Sequence, residues 1–214
     1  MLRAAAADLC WLLGRGYARE SSLELVGNRY ELVARQRIAV ARCACSDEQA
    51  ARRRGSQMGA ESLRGRPLWL DGYNVLTTIE AALAGGVVLV GRDGAYRDMA
   101  SMHGSYRKVA ETQPALELIG GAAAELGVAE CCWHLDRPVS NSGRLKGIME
   151  ELAAQHGWQW RVELVADPDG ILAATDQIVA TADSGILDLT AAWFNLARMV
   201  VAGNVPDAQV VDLG

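Results

Sequence analysis

The chain has 214 residues, half of them hydrophobic, and a formal net charge of −5 at pH 7. It is long enough to bury a substantial core. Its apolar opening stretch is interrupted by Asp8 and closed by Arg15, which argues against a membrane span or a secretory signal there. The five cysteines form no C-x-x-C pair, so neither a disulfide framework nor a zinc site is indicated. We expect a cytoplasmic protein.

The first 64 residues predict a small basic helical module. They contain 11 Lys and Arg against 7 Asp and Glu, a balance of +4, whereas residues 65–214 have a balance of −9. Capping boxes of the form S-x-x-E/Q begin at Ser21 and Ser46, and each marks a helix start. A third helix is predicted over the opening residues, up to Gly14 or Gly16.

Arginines are concentrated in this module: Arg29, Arg35, Arg37, Arg42, Arg52, Arg53 and Arg54. A basic segment beside an acidic one is typical of a protein that attracts a polyanion. Composition alone favours a simpler interpretation, in which the arginines lie on solvated helix faces.

Residues 65–214 predict an α/β fold with a mostly parallel central sheet flanked by helices. Longer helical patterns separate five candidate strands: PLWL, GVVLVG, AECCWHL, WRVELVA and QIVATA. One helix is predicted from about residue 142 to a stop at Gly157. Another is predicted over residues 188–201, where apolar positions recur at helical spacing: Leu189, Trp193, Leu196, Ala197 and Val200.

Aspartates follow three of these strands at the same position, namely Asp71, Asp136 and Asp183. Because the carboxyl ends of parallel strands meet at one edge of a sheet, we expect the three side chains to converge. Converging carboxylates repel one another unless a cation lies among them. Carboxylate oxygens suit hard cations, so the sequence predicts a Mg²⁺ or Mn²⁺ site at this edge.

Each aspartate also has a local interpretation. Asp71 fits a turn or a helix N-cap, Asp136 a turn or an ion pair, and Asp183 the cap of a following turn. Asp188 fits the cap of a helix that begins near Thr190. The turn interpretation is favoured for three others: Asp93, Asp167 and Asp169.

The stretch LWLDGYNVL, residues 68–76, resembles the first strand of the PIN-like nucleases, and particularly of their NYN branch. CCWHLD resembles a later strand of that family that ends on an aspartate. IVATADSGILD is similar to the family pattern in which a strand delivers Thr, any residue, then Asp. The whole chain also resembles a prokaryotic family that joins a basic helical N-terminal domain, here residues 1–64, to a PIN-like (Rossmannoid) domain, here residues 65–214.

The resemblance implies a metal-dependent ribonuclease in which Asp71, Asp136 and Asp183 hold one or two Mg²⁺ or Mn²⁺ ions. Asp188 would be an outer member of this site, and Asn74 would steady Asp71 or the substrate. The resemblance also implies a homodimer. PIN-like enzymes carry a further acidic residue on a helix in the middle of the domain, for which three candidates stay open: Glu80, Asp98 and Asp176.

The stretch DRPVSNSGRLK offers a phosphate site at a predicted helix start, where free amides and the helix dipole favour anions. Its five candidate residues are Ser140, Asn141, Ser142, Arg144 and Lys146. The alternative is an ordinarily capped helix with a solvated first turn. A second predicted polar helix offers four more polar side chains: Arg97, His103, Arg107 and Lys108.

Several other enzyme classes are disfavoured. The chain lacks Walker A, G-x-G-x-x-G and G-x-S-x-G motifs, and its three histidines lack metal-ligand spacing. A dehalogenase-type phosphatase would need an aspartate two residues after Asp71, where Tyr73 stands. The leading hypothesis is hydrolysis of an RNA phosphodiester by metal-activated water, with the N-terminal arginines docking the RNA. Two alternatives stay open: an RNA-binding protein of the same fold that does not cleave, and a structural partner in a larger complex.

Overall fold

The computed structural model of the protein describes residues 1–99 and 108–214, so His103 and Arg107 lie outside the described residues. Helices form the first part of the chain: α1 (Leu2–Gly14), α2 (Arg19–Arg29), α3 (Ala34–Cys43), α4 (Asp47–Gly55) and a 3₁₀ turn (Ala60–Leu63). Strands and helices then alternate: β1 (Pro67–Asp71), α5 (Gly72–Leu83), β2 (Val87–Val90), β3 (Tyr96–Arg97), α6 (Thr112–Glu125), β4 (Glu130–Asp136), α7 (Ser142–His156), β5 (Trp160–Val165), α8 (Pro168–Ala174), β6 (Ile178–Ala180), α9 (Ser184–Leu189), β7 (Trp193–Phe194), α10 (Leu196–Asn204) and β8 (Gln209–Asp212). Within the described residues no helix combines the length and the apolarity that crossing a membrane requires.

The main sheet has five parallel strands in the order β5-β4-β1-β6-β7. The predicted α/β class, with a mostly parallel sheet flanked by helices and preceded by a helical segment, is therefore confirmed. The chain builds outward from β1 to β4 and β5, and then returns to the other side of β1 with β6 and β7. Sheets of this kind bind ligands at the carboxyl ends of the strands beside such a reversal.

A second sheet has three strands in the order β3-β2-β8. The run GVVLVG forms β2, as predicted, but its place in the central sheet was wrong, because it pairs with β8 and β3. Leu89 in β2 and Leu213, just after β8, are buried in the core of the N-terminal helices together with Leu9 and Val40. The N-terminal helices therefore pack against the second sheet.

Alternate residues of β1 and β4 face opposite sides of the main sheet, as the period of a strand requires. Leu70 and Trp133 lie in the large core that the sheet forms with α5, α6, α7 and α10. Trp69 packs on the other face against the smaller α8 and α9. The same alternation places Asp71 and Asp136 on this second face.

Helix ends test the predictions from capping patterns. The Ser46 box is confirmed, since Ser46 Oγ accepts from the amide of Gln49, and Gln49 Oε1 accepts from the amide of Ser46. The Ser21 box was wrong, because α2 already begins at Arg19 and the Ser21 hydroxyl donates to the carbonyl of Ala18.

The predicted helix that stops at Gly157 is confirmed as α7, and Gly157 takes the left-handed conformation, with φ of 69°, that ends many helices. The helix predicted over residues 188–201 was wrong in its first half. Trp193 and Phe194 form β7 there, because they pair with β6, and α10 follows only from Leu196.

A buried arginine joins the N-terminal helices to the rest of the protein. Arg53 in α4 is 1% exposed, and it donates to Asp188 Oδ1 and Asp93 Oδ2, both at 2.7 Å. Arg97 donates to both oxygens of Asp93 at 2.7 and 2.9 Å. The indole of Trp193 donates to the carbonyl oxygen of Arg53 at 2.6 Å. Asp93 lies in a turn, as expected, but its main role is in this ionic network.

Candidate functional site

A cleft of about 420 Å³ opens at the carboxyl ends of β1, β4 and β6. Asp71, Asp136 and Asp183 all line it, so the convergence that their strand-end positions predicted is observed. Asp98 and Asp169 line the same cleft. Five carboxyl groups therefore surround one solvent-filled space at the reversal point of the sheet.

The floor of the cleft is built by hydrogen bonds between the ends of β1 and β6. Asp71 is 9% exposed, and its Oδ2 accepts from the Thr181 hydroxyl at 2.7 Å. The same hydroxyl accepts from the amide of Asp183 at 3.0 Å. Asn74 Oδ1 accepts from the amide of Ala182 at 2.8 Å. Asn74 therefore anchors the loop that carries Asp183, which makes it a positioning residue of the cleft.

Gly72 explains the D-G pair of the DGYN stretch. A Cβ at this position would lie 2.5 Å from Cδ2 of Leu135 and 3.0 Å from the carbonyl oxygen of His134, both on β4. Any larger residue would push the start of α5 away from the sheet. The glycine thus allows Asp71 and the first turn of α5 to lie close to β4.

Two carboxyl groups of the cleft, those of Asp71 and Asp169, have raised pKa values. Burial raises the pKa of Asp71 to about 7, and the charges of Asp183 and Asp169 add to that rise, whereas the Thr181 hydrogen bond opposes it. The pKa of Asp169 is also raised, by burial and then by Asp183, Asp167 and Asp136. Without a cation the cleft resists full ionisation near neutral pH.

We predict that the carboxyl group of Asp71 titrates near pH 7, and that Asp183→Asn lowers its midpoint because a neighbouring negative charge is removed. Carbon-detected NMR of protein labelled at the aspartate carboxyl carbons would follow the titration, with Asp71→Asn assigning the signal. Asp207→Asn, an exposed substitution outside the cleft, should leave the midpoint unchanged. A midpoint near the ordinary aspartate value would contradict the electrostatic coupling.

Comparisons with known proteins place the chain in a family. Residues 60–199 match the family model described as a domain of unknown function, DUF5616. The chain belongs to this family. Residues 1–55 match a second model, described as a protein of unknown function, DUF434. All five cleft aspartates lie in the DUF5616 domain.

The chain is also similar to a protein of Methanocaldococcus jannaschii named "Uncharacterized protein MJ0935". The two are 27% identical over 183 residues, which cover 86% of this chain and 87% of that protein. No solved structure matches the chain.

Asp188 of the DUF5616 domain is placed differently from the prediction. Its two oxygens accept from Arg53 Nε and from Gln49 Nε2, both at 2.7 Å, and it is not among the described residues that line the cleft. The structure therefore does not place Asp188 with the predicted metal ligands, because its carboxylate pairs with the buried guanidinium of Arg53. It also caps no helix at Thr190, where α9 has already ended.

The predicted phosphate residues lie beside the cleft and not among its described lining residues, which include Pro138 and Val139 just before them. Ser140, Asn141 and Arg144 are exposed. The Ser142 hydroxyl donates to the carbonyl of Arg137, and Lys146 pairs with Glu150 at 3.5 Å. These contacts are local to α7 and the loop before it, and the N-cap Asn141 takes a left-handed conformation, with φ of 68°, without a side-chain cap hydrogen bond.

The three candidates for the additional acidic residue lie in different surroundings. Glu80 is buried and accepts from the Thr112 hydroxyl at 2.6 Å, and Asp176 is exposed beside Gln177. Asp98 lines the cleft and accepts from the hydroxyls of Thr77 and Thr78, both at 3.2 Å. Of the three, Asp98 has the position of a site residue, although it follows a short strand and not a helix.

Local interpretations of the other aspartates are resolved in part. Asp183 caps α9 through Oδ1 and also lines the cleft. Asp167 caps α8 by accepting from the amide of Gly170, in keeping with its predicted turn role. Asp169, for which a turn was favoured, lies in the first turn of α8 and faces the cleft. Arg137 donates to the carbonyl of Leu164, so the predicted local ion pair with Asp136 is not observed.

Only part of the predicted arginine surface is free to contact a polyanion. Arg53 is buried, so its predicted role in docking RNA was wrong, and Arg37 donates to the carbonyl of Leu32 at 2.9 Å. Three others are exposed on α3 and α4: Arg35, Arg52 and Arg54. Of the second polar group, Arg97 is buried in β3 and Lys108 is exposed.

Three cleft residues with a charged or imidazole side chain were missed or given another role from sequence: Arg42, Asp169 and His134. Asp169 lies beyond the end of β5 and inside α8, so the strand-end rule indicates Asp167 and not Asp169. His134 stands two residues before Asp136 and therefore shares its face of β4. Arg42 comes from the N-terminal helices, and no local pattern links it to the cleft.

The donor chemistry of the cleft fits a hydrated hard cation. In the described residues no three His, Cys, Asp or Glu side chains form a ready-made metal cluster. Mg²⁺ is commonly held by one or two carboxylates and keeps several waters, so the cleft does not need such a cluster. Asp71, Asp183 and Asp136 are the residues that would hold the ion, directly or through water.

Proposed function

We propose that this cleft binds Mg²⁺ or Mn²⁺ and hydrolyses RNA phosphodiester bonds, as the resemblance to the PIN-like nucleases implies. The observation that carries the proposal is the meeting of Asp71, Asp136 and Asp183, from three separate stretches of the chain, in one cleft at the reversal point of the sheet. Buried carboxylates that repel one another destabilise a fold, and clusters of this kind are a common property of functional sites.

The residues of the cleft have distinct proposed roles. Asp71, Asp183 and Asp136 present oxygen ligands, and Thr181 and Asn74 fix the loop between β6 and α9 on which Asp183 lies. A bound divalent cation would supply an acidified water to attack phosphorus. Ionised carboxylates then serve both to hold the cation and to accept a proton. The proposal includes the cytoplasmic location and the homodimer expected from the sequence.

RNA binding without cleavage is a second candidate function. The absence of a ready-made three-ligand metal cluster in residues 1–99 and 108–214 favours it. In that case the same cleft would accept RNA without turnover, and a metal ion would be dispensable for binding.

Incubation of the purified protein with end-labelled single-stranded and hairpin RNA separates the two functions. With Mg²⁺ or Mn²⁺ we expect cleavage products, and with excess chelator we expect none. Equal cleavage in chelator would contradict the metal-dependent proposal. Intact RNA in every condition, together with a shift in gel mobility that persists in chelator, would establish the binding function instead.

A further inference from the structure

Among the described residues that line the acidic cleft, Arg42 is the one Lys or Arg. It belongs to α3, in the segment matched by the DUF434 model, whereas the carboxylates belong to the DUF5616 domain. Its side chain is 31% exposed. The DUF434 segment therefore contributes a positive charge to a cleft whose negative charges come from the DUF5616 domain.

Arg42 forms an ion pair with Asp98 but has an unsatisfied Nε in the described part of the chain. Nη2 lies 3.8 Å from Asp98 Oδ2, an ion pair longer than a hydrogen bond, and the buried Nε has no hydrogen-bond partner there. Asp98 already accepts from two threonine hydroxyls. By contrast, Arg37 on the same helix donates to Leu32 and Asn28 at 2.9 and 2.8 Å.

His134 provides a second, independent sign of a ligand in the same cleft. It is 3% exposed and lines the cleft beside Asp71 in the register of β4 with β1. Its Nδ1 is buried and has no hydrogen-bond partner in residues 1–99 and 108–214. Buried polar groups of native proteins are nearly always satisfied. Because the Arg42 side chain is 31% exposed, it is the group of the two that a molecule in the cleft can contact.

We propose that Arg42 binds a phosphodiester group of single-stranded RNA in the cleft, so that the N-terminal helices complete the site. This inference rests on the proposed function and names the residue that recognises its substrate. The planar guanidinium matches the geometry of phosphate oxygens and donates charge-assisted hydrogen bonds to them. Because Arg42 shares the described part of the cleft with five carboxyl groups, the phosphate binds favourably only together with a cation.

Fluorescence anisotropy with a labelled ten-nucleotide RNA, in Ca²⁺ and separately in chelator, tests this role. We expect Arg42→Ala to weaken RNA binding in Ca²⁺ about 10-fold to 100-fold, because a charge-assisted contact is lost. The slope of log affinity against log salt should also fall by about 0.7, the value for one phosphate contact with a single strand. Arg42→Lys should recover part of the affinity.

Arg66→Ala is the matched control, since Arg66 is exposed at the opposite end of β1 from Asp71. A purely structural Arg42 would give the reverse pattern, with a lower melting temperature for Arg42→Ala and unchanged RNA affinity, and that result would overturn the inference. Calorimetric titration with Mn²⁺ alone should show that Arg42→Ala retains cation binding. If the wild-type protein never cleaves RNA but Arg42→Ala still loses RNA affinity, the proposed hydrolysis is contradicted. The proposed role of Arg42 in RNA binding is then still supported.

Discussion

Asp71→Asn is expected to reduce the rate of metal-dependent RNA cleavage at least about 1000-fold, as the loss of several kcal/mol of charge stabilisation implies. The amide keeps an oxygen for the Thr181 hydrogen bond but provides no charge for a cation. In chelator the same variant should melt roughly 10 °C higher than the wild type at pH 8, because a buried carboxylate with a pKa raised to about 7 has been removed.

The higher melting temperature expected for Asp71→Asn follows from proton binding. The unfolded carboxyl group loses its proton near its ordinary value, whereas folded Asp71 keeps it up to about pH 7, so ionisation of Asp71 lowers stability as pH rises through that range. Asp207→Asn serves as control in both measurements, since Asp207 is exposed and outside the cleft. Cleavage by Asp71→Asn at the wild-type rate would show that the activity has another source. A lower melting temperature in chelator would show that Asp71 stabilises the fold.

Arg53→Met is expected to lower the free energy of unfolding by about 3–5 kcal/mol, the usual effect of removing one partner from a buried ionic network. Methionine occupies similar volume but removes one 2.7 Å donor from Asp188 and one from Asp93, which keep Gln49 and Arg97 as donors. Urea unfolding at pH 7 measures the change. Arg52→Met removes the same charge from an exposed neighbour and should change stability by at most about 0.5 kcal/mol.

Acid should reduce the difference between the two variants. The arginines hold the pKa of Asp93 at about 2, below its ordinary value, so their stabilisation is complete above that ordinary value and is lost as pH falls towards 2. Equal stability of Arg53→Met and Arg52→Met at pH 7 would mean that the N-terminal helices are not held through this network.

The part of the site that could be predicted from sequence is the part built by regular structure. Apolar runs mark the strands, parallel strands end at one edge, and an aspartate directly after a strand must lie at that edge. Asp71, Asp136 and Asp183 obey this geometry, and their convergence therefore needed no tertiary information.

The remaining features depend on contacts between distant segments. Asp188 lies near Asp183 in sequence, yet it is not among the described lining residues of the cleft and pairs with Arg53, 135 residues earlier. Trp193 fits a helical pattern, but pairing with β6 and the bond to Arg53 determine its conformation. Arg42 reaches the cleft only because α3 packs on β2, which no short motif encodes.

The pairing of β2 with β8 has a consequence for synthesis. Val88 pairs with Val210, and Leu213 completes the apolar core that α1 and α3 form. At ordinary elongation rates the first helices leave the ribosome roughly ten seconds or more before β8 emerges. During this interval the core of the N-terminal helices lacks Leu213 and β2 lacks its parallel partner, so the final packing of these helices follows the synthesis of β8.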